Sequence, residues 1–415
     1  MNLLKTSILN GIAVLIKTAT MFALNKILAV YVGPAGYAAI GQFQNFIQMV
    51  TTFAGSAINT AVIKYTAEYH ENERKQQAIW KTAGSIILIF SIIFSLLILI
   101  FQKQLSTYIF HTDKYQSVFV WFAVFLTFFT FNALFLAILN GKKEVLRLVI
   151  ANIIGSVFSL VITSILAIKY SIYGALIALS IYQSLAFFVT LFLCYKSNWF
   201  KLSYLFGKID KIIAKQFIAF ALMALVSAIC VPLSQMVIRS YLTNEYGLTY
   251  AGYWEAMIRL SAAYLMLVTT TLGVYYLPKL SELSNIGEIK SEVYMGYKFI
   301  FPLAIIGGIS VYFLRDWIIA LLFTETFLPM RDLFLWQMIG DSLKIGSWIL
   351  AYLMLSKAMT RLFIATEIVF AITSIIFTYI CTQVFGFEGV SIAHLINYGM
   401  YWVVMSFFVF KNLDD

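Results

Sequence analysis

Charged residues are scarce in this sequence. They make up 12% of its 415 residues, whereas soluble domains carry about 25%. Hydrophobic residues make up 61%, which is far more than the interior of a water-soluble fold can cover. A lipid bilayer is itself an apolar solvent, so such residues can remain on the surface of a protein that spans it. The composition therefore excludes a soluble globular protein and predicts an integral membrane protein.

The usual enzyme motifs are absent as well. The sequence has no P-loop, no GxSxG or HExxH motif and no GxGxxG fingerprint after a strand. Its three cysteines lack the CxxC spacing of zinc and redox sites. We therefore expect no enzymatic activity, no cofactor, no metal and no ATP-driven motor in this chain.

Apolar stretches of about 20 residues, the length that crosses a bilayer, recur along the whole sequence. We predict transmembrane helices at 8–31, 38–62, 82–101, 118–139, 148–168, 173–194, 216–239, 253–277, 299–314, 332–356, 361–384 and 388–410. The predicted fold is thus an all-α membrane protein of about twelve spans. An even number of spans places both termini on the same side of the membrane.

Lysine and arginine are distributed unevenly between alternate loops. The termini and the loops on their side hold 19 of them, and the loops on the other side hold 6. Because basic residues are retained on the cytoplasmic side, both termini are predicted to be cytoplasmic. The net charge of +10 therefore reflects topology, and we expect no nucleic-acid partner.

The second half of the chain repeats landmarks of the first half at a constant distance of 215 residues. The matching pairs are Lys64 and Lys279, Trp121 and Trp336, Lys142 and Lys357, and Gly174 and Gly389. We interpret this as two six-helix bundles, 1–195 and 216–415, joined by a cytoplasmic linker at 196–215. In transporters built from such repeats the substrate site lies between the halves, and we expect the same here.

Several predicted spans carry ionisable residues, although each charge inside a membrane costs several kcal/mol. Glu255 and Arg259 are spaced i,i+4, Asp341 and Lys344 are spaced i,i+3, and Lys17 lies in the first span. The spacing favours pairs on one helix face. These charges either pair helices structurally or line a water-filled cavity in which cations outnumber acids.

The second span is unusually polar. Asn45, Gln48, Thr52 and Asn59 are predicted to share one helix face, which cannot face lipid without cost. This stripe either forms hydrogen bonds between helices or binds a hydroxyl-rich cargo. His394, in the last span, is either a packing residue or part of a proton relay.

Several short segments carry a resemblance to a known family. They are Gly33-Pro-Ala-Gly36, Gln42, Gln44, Asn45, Val62-Ile-Lys-Tyr65, Met330-Arg-Asp-Leu-Phe334, Trp336-Gln337, Gly340-Asp-x-x-Lys344, Lys357 and Glu367. In these segments and their order the chain resembles the Wzx-type flippases of bacterial polysaccharide assembly, most closely the O-antigen and enterobacterial-common-antigen translocases. These flippases belong to a superfamily of multidrug and oligosaccharidyl-lipid exporters.

The resemblance implies a cargo and a location. The cargo would be undecaprenyl diphosphate carrying one oligosaccharide repeat unit, moved by alternating access from the cytoplasmic to the periplasmic leaflet of the bacterial inner membrane. Besides membrane lipids, the implied partners are the polysaccharide polymerase and the chain-length regulator of the same pathway. Related lipid II flippases use basic residues on helices 1 and 8, and Lys17 and Arg259 occupy comparable places here.

Two sets of candidate site residues follow from the charges, the stripe and the resemblance. The cargo-binding candidates are Lys17, Asn45, Gln48, Thr52, Asn59, Arg259 and Lys344, and the ion-coupling candidates are Glu255, Asp341 and His394.

A cation-coupled drug exporter on the same fold is the alternative function. The resemblance implies that such exporters often carry an acid in the first span for the coupling ion, and this chain has lysines and no acid there, which argues against a cationic cargo. A membrane polymerase or ligase would need a large outer loop, and a scaffold would leave the buried charges unexplained.

Overall fold

The computed structural model describes residues 3–276, 279, 280, 283, 285–357 and 359–414. Its α-helices are α1 (Leu3–Tyr31), α2 (Gly33–Phe53), α3 (Asn59–Glu68), α4 (Glu73–Phe110), α5 (Gln116–Gly141), α6 (Val145–Tyr195), α7 (Lys211–Tyr246), α8 (Leu248–Thr271), α9 (Ile286–Phe313), α10 (Arg315–Leu322), α11 (Phe334–Ser356), α12 (Thr360–Phe385) and α13 (Gly389–Asp414). The described ranges contain no β-strand.

Most of these helices are long and apolar enough to cross a bilayer. Among the described residues, eight meet a spanning criterion of length and hydropathy, and the bent pair formed by α2 and α3 adds a ninth. Two of the eight stretches, 145–195 and 360–411, are 51 and 52 residues long, about twice one span. The prediction of an all-α membrane protein with about twelve spans is confirmed.

The 215-residue repeat is visible in the ends of the helices. Tyr31 ends α1 and Tyr246 ends α7, whereas α6 begins at Val145 and α12 begins at Thr360. Gly141 and Ser356, the last residues of α5 and α11, are again 215 residues apart. The repeat is therefore a property of the backbone as well as of a few side chains.

A break in the middle of a long helical stretch is shared by both repeats. Ser171 interrupts α6 with φ 52° and ψ −130°, and Gly386 separates α12 from α13 with φ 64° and ψ −150°. The two residues are 215 positions apart and have nearly the same backbone conformation. Just after each break, a glycine lies directly against a helix carbonyl, Gly174 and Gly389 respectively. A Cβ atom at either glycine would collide with that carbonyl.

Contacts divide the chain into two compact units. Unit 1 comprises residues 1–32 and 39–232, and unit 2 comprises residues 33–38 and 233–415. Unit 1 has a core around Trp80, Phe135 and Leu205. Unit 2 has a core around Tyr276, Ile349 and Met405. The predicted bundle boundaries at 195 and 216 and the cytoplasmic position of the termini stay predictions.

Two details of the sequence prediction are wrong. The second span is not one straight helix, because the chain bends by 68° between α2 and the segment Ser56–Glu68. Gly55 at the bend has φ 127°, which only glycine adopts readily. The seventh span does not end at residue 239 either, because α7 continues to Tyr246.

Candidate functional site

The first charged cluster of unit 2 joins α7 and α8. Glu255 lies between two arginines: its Oε2 accepts from Arg239, and its Oε1 lies 2.8 Å from Nε of Arg259. The predicted i,i+4 pair of Glu255 and Arg259 is thus confirmed, and Arg239 is an additional member. The side chain of Arg239 is 1% exposed, whereas that of Arg259 is 16% exposed.

Aromatic rings cover both arginines of this cluster. The guanidinium of Arg239 lies 5.3 Å from the Trp254 ring centre, and that of Arg259 lies 5.4 Å from the Tyr37 ring centre. Both distances fall within the range of cation–π attraction. We call Arg239, Glu255 and Arg259, with these two rings, the arginine centre.

Tyr37 belongs to the six residues of α2 that are part of unit 2. Its ring contacts Phe327 at 5.2 Å between ring centres and Phe323 at 6.0 Å. The backbone comes close because Gly252 of α8 lies against the carbonyl of Pro34, where any Cβ atom would collide. A glycine in α8 therefore allows the ring that covers Arg259 to reach its place.

A second polar cluster of unit 2 surrounds Asp341, which is fully buried in α11. Its carboxylate accepts a hydrogen bond from the Tyr264 hydroxyl at 2.9 Å and lies 2.9 Å from Nε2 of His394. The side-chain amide of Gln337 donates to it at 3.3 Å. Asp341 therefore pairs with His394 of α13, a contact that the sequence does not predict. We call these four residues the Asp341 cluster.

Lys344 lies beside this cluster, between two aromatic rings. Its Nζ is 5.0 Å from the ring centres of Trp348 and of Tyr398. Tyr398 in turn packs on His394, with 4.7 Å between ring centres. Contacts with aromatic faces stabilise an ammonium in an apolar setting, so the packing of Lys344 alone does not require a bound anion.

The polar stripe of unit 1 is divided by the bend after α2. Asn45 is buried, Thr52 is half-buried and Gln48 is exposed, and all three lie on α2. Asn59 begins α3 beyond the bend, so it does not continue their face. Among the described residues, the amide nitrogen of Asn45 has no hydrogen-bond partner.

Lys17 is exposed on α1 in unit 1. Arg259 and Lys344 belong to unit 2. A common role of Lys17, Arg259 and Lys344 toward one cargo stays a prediction.

Sequence reasoning missed Arg239, Trp254 and Tyr37. Arg239 had a signal, because the apolar pattern continues through Val237, Ile238 and Leu242 and indicates a longer helix. The two rings had none, since nothing in the spacing pairs them with an arginine. Within the described ranges no group of three or more His, Cys, Asp or Glu side chains could hold a metal ion, and the expectation of no metal stays a prediction.

Comparison with known proteins finds a matching family and two curated relatives. A family model described as polysaccharide biosynthesis protein matches residues 3–284. Two curated relatives, each named lipid III flippase, come from Escherichia coli (strain K12) and Shigella flexneri. Each is 30% identical to this chain over 403 residues, 97% of both chains.

Solved structures share the fold at lower identity. An inward-facing multidrug resistance MATE family transporter of the MOP superfamily superimposes with a TM-score of 0.77 at 14% identity, covering 96% of this chain and 94% of that one. The lipid II flippase MurJ, in an inward closed conformation, superimposes with a TM-score of 0.73 at 15% identity, covering 99% of this chain and 90% of that one.

Proposed function

Since this chain belongs to the polysaccharide biosynthesis protein family, we propose that it is a flippase for a lipid-linked oligosaccharide. The cargo would be an undecaprenyl-diphosphate-linked repeat unit of O-antigen or a related surface polysaccharide. It would be moved by alternating access from the cytoplasmic to the periplasmic leaflet of the bacterial inner membrane. The relatives at 30% identity are named flippases, which supports transport rather than enzymatic activity.

The arginine centre is the observation that carries the proposal. It combines two arginines with one glutamate, so it is positive overall in a part of the chain where charge is costly. A diphosphate is the part of the cargo that such a centre fits, because charge-assisted hydrogen bonds to phosphate are strong and arginine can form two at once. The more exposed Arg259 is the member that we propose to contact the diphosphate.

The remaining cargo-binding candidates keep lesser roles. Asn45 is proposed to bind the sugars in a conformation that exposes it, since an amide suits a hydroxyl-rich cargo and its buried amide nitrogen has no hydrogen-bond partner among the described residues. Gln48, Thr52 and Lys17 stay candidates beside it. Asn59 and Lys344 become weaker ones, the first because of the bend and the second because of its aromatic neighbours. The polymerase and the chain-length regulator of the same pathway are the proposed protein partners.

Arg259 offers a direct test. Purified protein would be reconstituted into vesicles with a fluorescent undecaprenyl-diphosphate oligosaccharide. Flipping would be measured as the fraction of this fluorescent lipid that is no longer accessible from outside the vesicle. Arg259→Ala removes a charged hydrogen bond worth about 1.5–3 kcal/mol, so we expect roughly a 10- to 150-fold loss of cargo affinity. Arg259→Lys keeps the charge but cannot form bidentate hydrogen bonds to a phosphate, so it should retain partial function.

Arg315→Ala is the matched control, because Arg315 also lies over an aromatic ring of unit 2, that of Tyr312 at 4.2 Å, but is not part of the arginine centre. It should flip cargo as the unmodified protein does. Mass spectrometry of the lipid that co-purifies with the protein gives an independent check. Efflux of cationic drugs without any flipping would favour the alternative, a cation-coupled exporter.

The Asp341 cluster is the proposed site for a coupling proton. Asp341 and His394 share one contact inside the membrane-spanning part of unit 2, with Tyr264 and Lys344 as the other titratable neighbours. Glu255 becomes a weaker coupling candidate, because a third cation would meet the repulsion of two arginines. Replacing Asp341 and His394 together with leucine should abolish acceleration of flipping by a pH gradient. Unchanged acceleration in that double variant would remove the cluster from the mechanism.

A further inference from the structure

Arg239 is the deeply buried member of the arginine centre. Its side chain is 1% exposed, and its guanidinium is covered by Trp254 and paired with Glu255. A residue covered in this way does not contact a large cargo directly. It can nevertheless act on the cargo through the charge that it contributes and through the carboxylate that it holds.

Glu255 connects Arg239 to Arg259. One carboxylate oxygen is engaged by each arginine, and the carboxylate itself is buried. Without Arg239, Glu255 would face Arg259 alone, and that pair would have no net charge. With Arg239, the same three side chains carry one surplus positive charge.

The surplus charge decides how strongly the centre attracts an anion. A neutral ion pair presents only a dipole, whose field falls off faster with distance than that of a net charge. In an environment of low polarity a net charge acts strongly over several ångströms, because little solvent screens it. The attraction of an anion to Arg259 therefore depends on whether Glu255 is already neutralised from its other side.

We propose that Arg239 is a positioning residue that sets the charge of the anion site. By engaging Oε2 of Glu255, it holds the carboxylate that orients Arg259, and it leaves the centre with one positive charge for the diphosphate group of the cargo. The inference rests on the proposed function for the identity of the anion. It adds that the residue supplying the net charge differs from the residue that contacts the cargo.

A charge-matched set of variants tests this inference. Arg239→Met makes the centre neutral while filling a similar volume. Arg239→Met combined with Glu255→Gln restores the net charge of +1, and the amide carbonyl that replaces the carboxylate can still accept from Nε of Arg259. Arg239→Lys keeps the charge at its original place. Arg315→Met is the control for loss of a charge elsewhere in unit 2.

The measurement is the affinity for undecaprenyl diphosphate in detergent micelles, together with thermal unfolding of each variant. Arg239→Met should bind at least about 10-fold more weakly, whereas the double variant and Arg239→Lys should bind within about threefold of the unmodified protein. A purely structural role of Arg239 would change the unfolding temperature without this dependence on charge. If Arg239→Met fails to fold, Arg239→Gln takes its place, because it also makes the centre neutral but can still donate a hydrogen bond to Glu255.

Two results would separate this inference from the proposed function. If the double variant folds but binds as weakly as a neutral centre, Arg239 does not act through charge, and the inference is overturned even if Arg259 binds the cargo. If Arg259→Ala binds undecaprenyl diphosphate as tightly as the unmodified protein, the proposed function is wrong at its binding site. Normal binding by Arg239→Met would also overturn the inference.

Discussion

The two repeats carry matching helices, but the charged clusters described above lie in the second. Subtracting 215 residues from each charged position gives its counterpart in the first repeat. The counterparts of Arg239, Glu255 and Arg259 are Leu24, Ile40 and Gln44, and those of Asp341, Lys344 and His394 are Leu126, Phe129 and Leu179. Five of these six counterparts are apolar, and none is charged.

This difference distinguishes the residues that the helical scaffold requires from the charged residues that it does not require. Since the first repeat forms corresponding helices around Ile40 and Leu126, both nearly fully buried, the scaffold does not require charge at those positions. Buried ion pairs are weak contributors to stability, because desolvation offsets most of their attraction. Charges retained in the second repeat despite this cost favour a functional role over structural pairing.

The first repeat joins its helices with neutral groups instead. The amide of Asn132 in α5 donates to the Gln183 side chain of α6 at 2.8 Å, and its oxygen accepts from Thr190 at 2.7 Å. Such a network satisfies its members without ionised groups. Polar contacts between spans therefore do not require charge in this fold, and the comparison can be tested by exchanging residues between the repeats.

The largest effect is expected for Glu255→Ile, a single substitution that introduces the residue found at the equivalent position of the first repeat. It leaves two neighbouring arginines without their carboxylate, and breaking a buried pair in this way costs about 3–5 kcal/mol. We expect a clearly lower unfolding temperature in detergent and no flipping. Glu388→Ile, at an exposed glutamate, is the control and should change stability by less than about 0.5 kcal/mol.

Exchanging all three charged residues separates stability from transport. Arg239→Leu, Glu255→Ile and Arg259→Gln together reproduce the residues of the first repeat, so no charge is stranded. Replacing a whole buried ionic group by apolar residues is often neutral or stabilising by about 1–4 kcal/mol. The triple variant should therefore regain the stability lost in Glu255→Ile while flipping remains absent. A triple variant as unstable as the single one would mean that the second repeat needs its charges to fold.

Much of the fold could be predicted from the sequence, because it depends on local properties. Apolar stretches predict spans, since every spanning segment must satisfy its backbone internally. Four residue pairs predicted the repeat, and the helix ends and the break at Ser171 and Gly386 confirm it. The bend after α2 also had a local signal, because Ala54-Gly55-Ser56 is typical of a break in a helix.

The contacts of the candidate site could not be predicted in the same way. Asp341 and His394 are 53 residues apart, and no local pattern indicates that their helices place them together. The predicted seventh span ends at Arg239 because charge usually marks the end of a span, although Glu255, buried on the next helix, lets this charge remain inside. Pairing between distant segments depends on helix packing, which hydropathy does not encode.

The smallest effect is expected from exchanging the residues at the shared break. Both positions have positive φ, with ψ near −130° at Ser171 and −150° at Gly386, a conformation that favours glycine. Gly386→Ser should therefore cost about 1–3 kcal/mol, and a lower unfolding temperature would show it.

Ser171→Gly relieves the same strain in the first repeat. It also loses the hydrogen bond from the Ser171 hydroxyl to the carbonyl of Tyr31, at 2.8 Å, which is worth about 0.5–1.5 kcal/mol.

The two terms at Ser171 oppose each other, so Ser171→Gly should change the unfolding temperature less than Gly386→Ser does. Ser171→Ala keeps the strain and loses the hydrogen bond, so it should be less stable than Ser171→Gly. Flipping should be unchanged in all three variants, because neither residue belongs to the proposed site. Equal stability of Ser171→Ala and Ser171→Gly would show that the break in the first repeat carries no backbone strain. The two breaks would then share a backbone conformation but differ in strain energy.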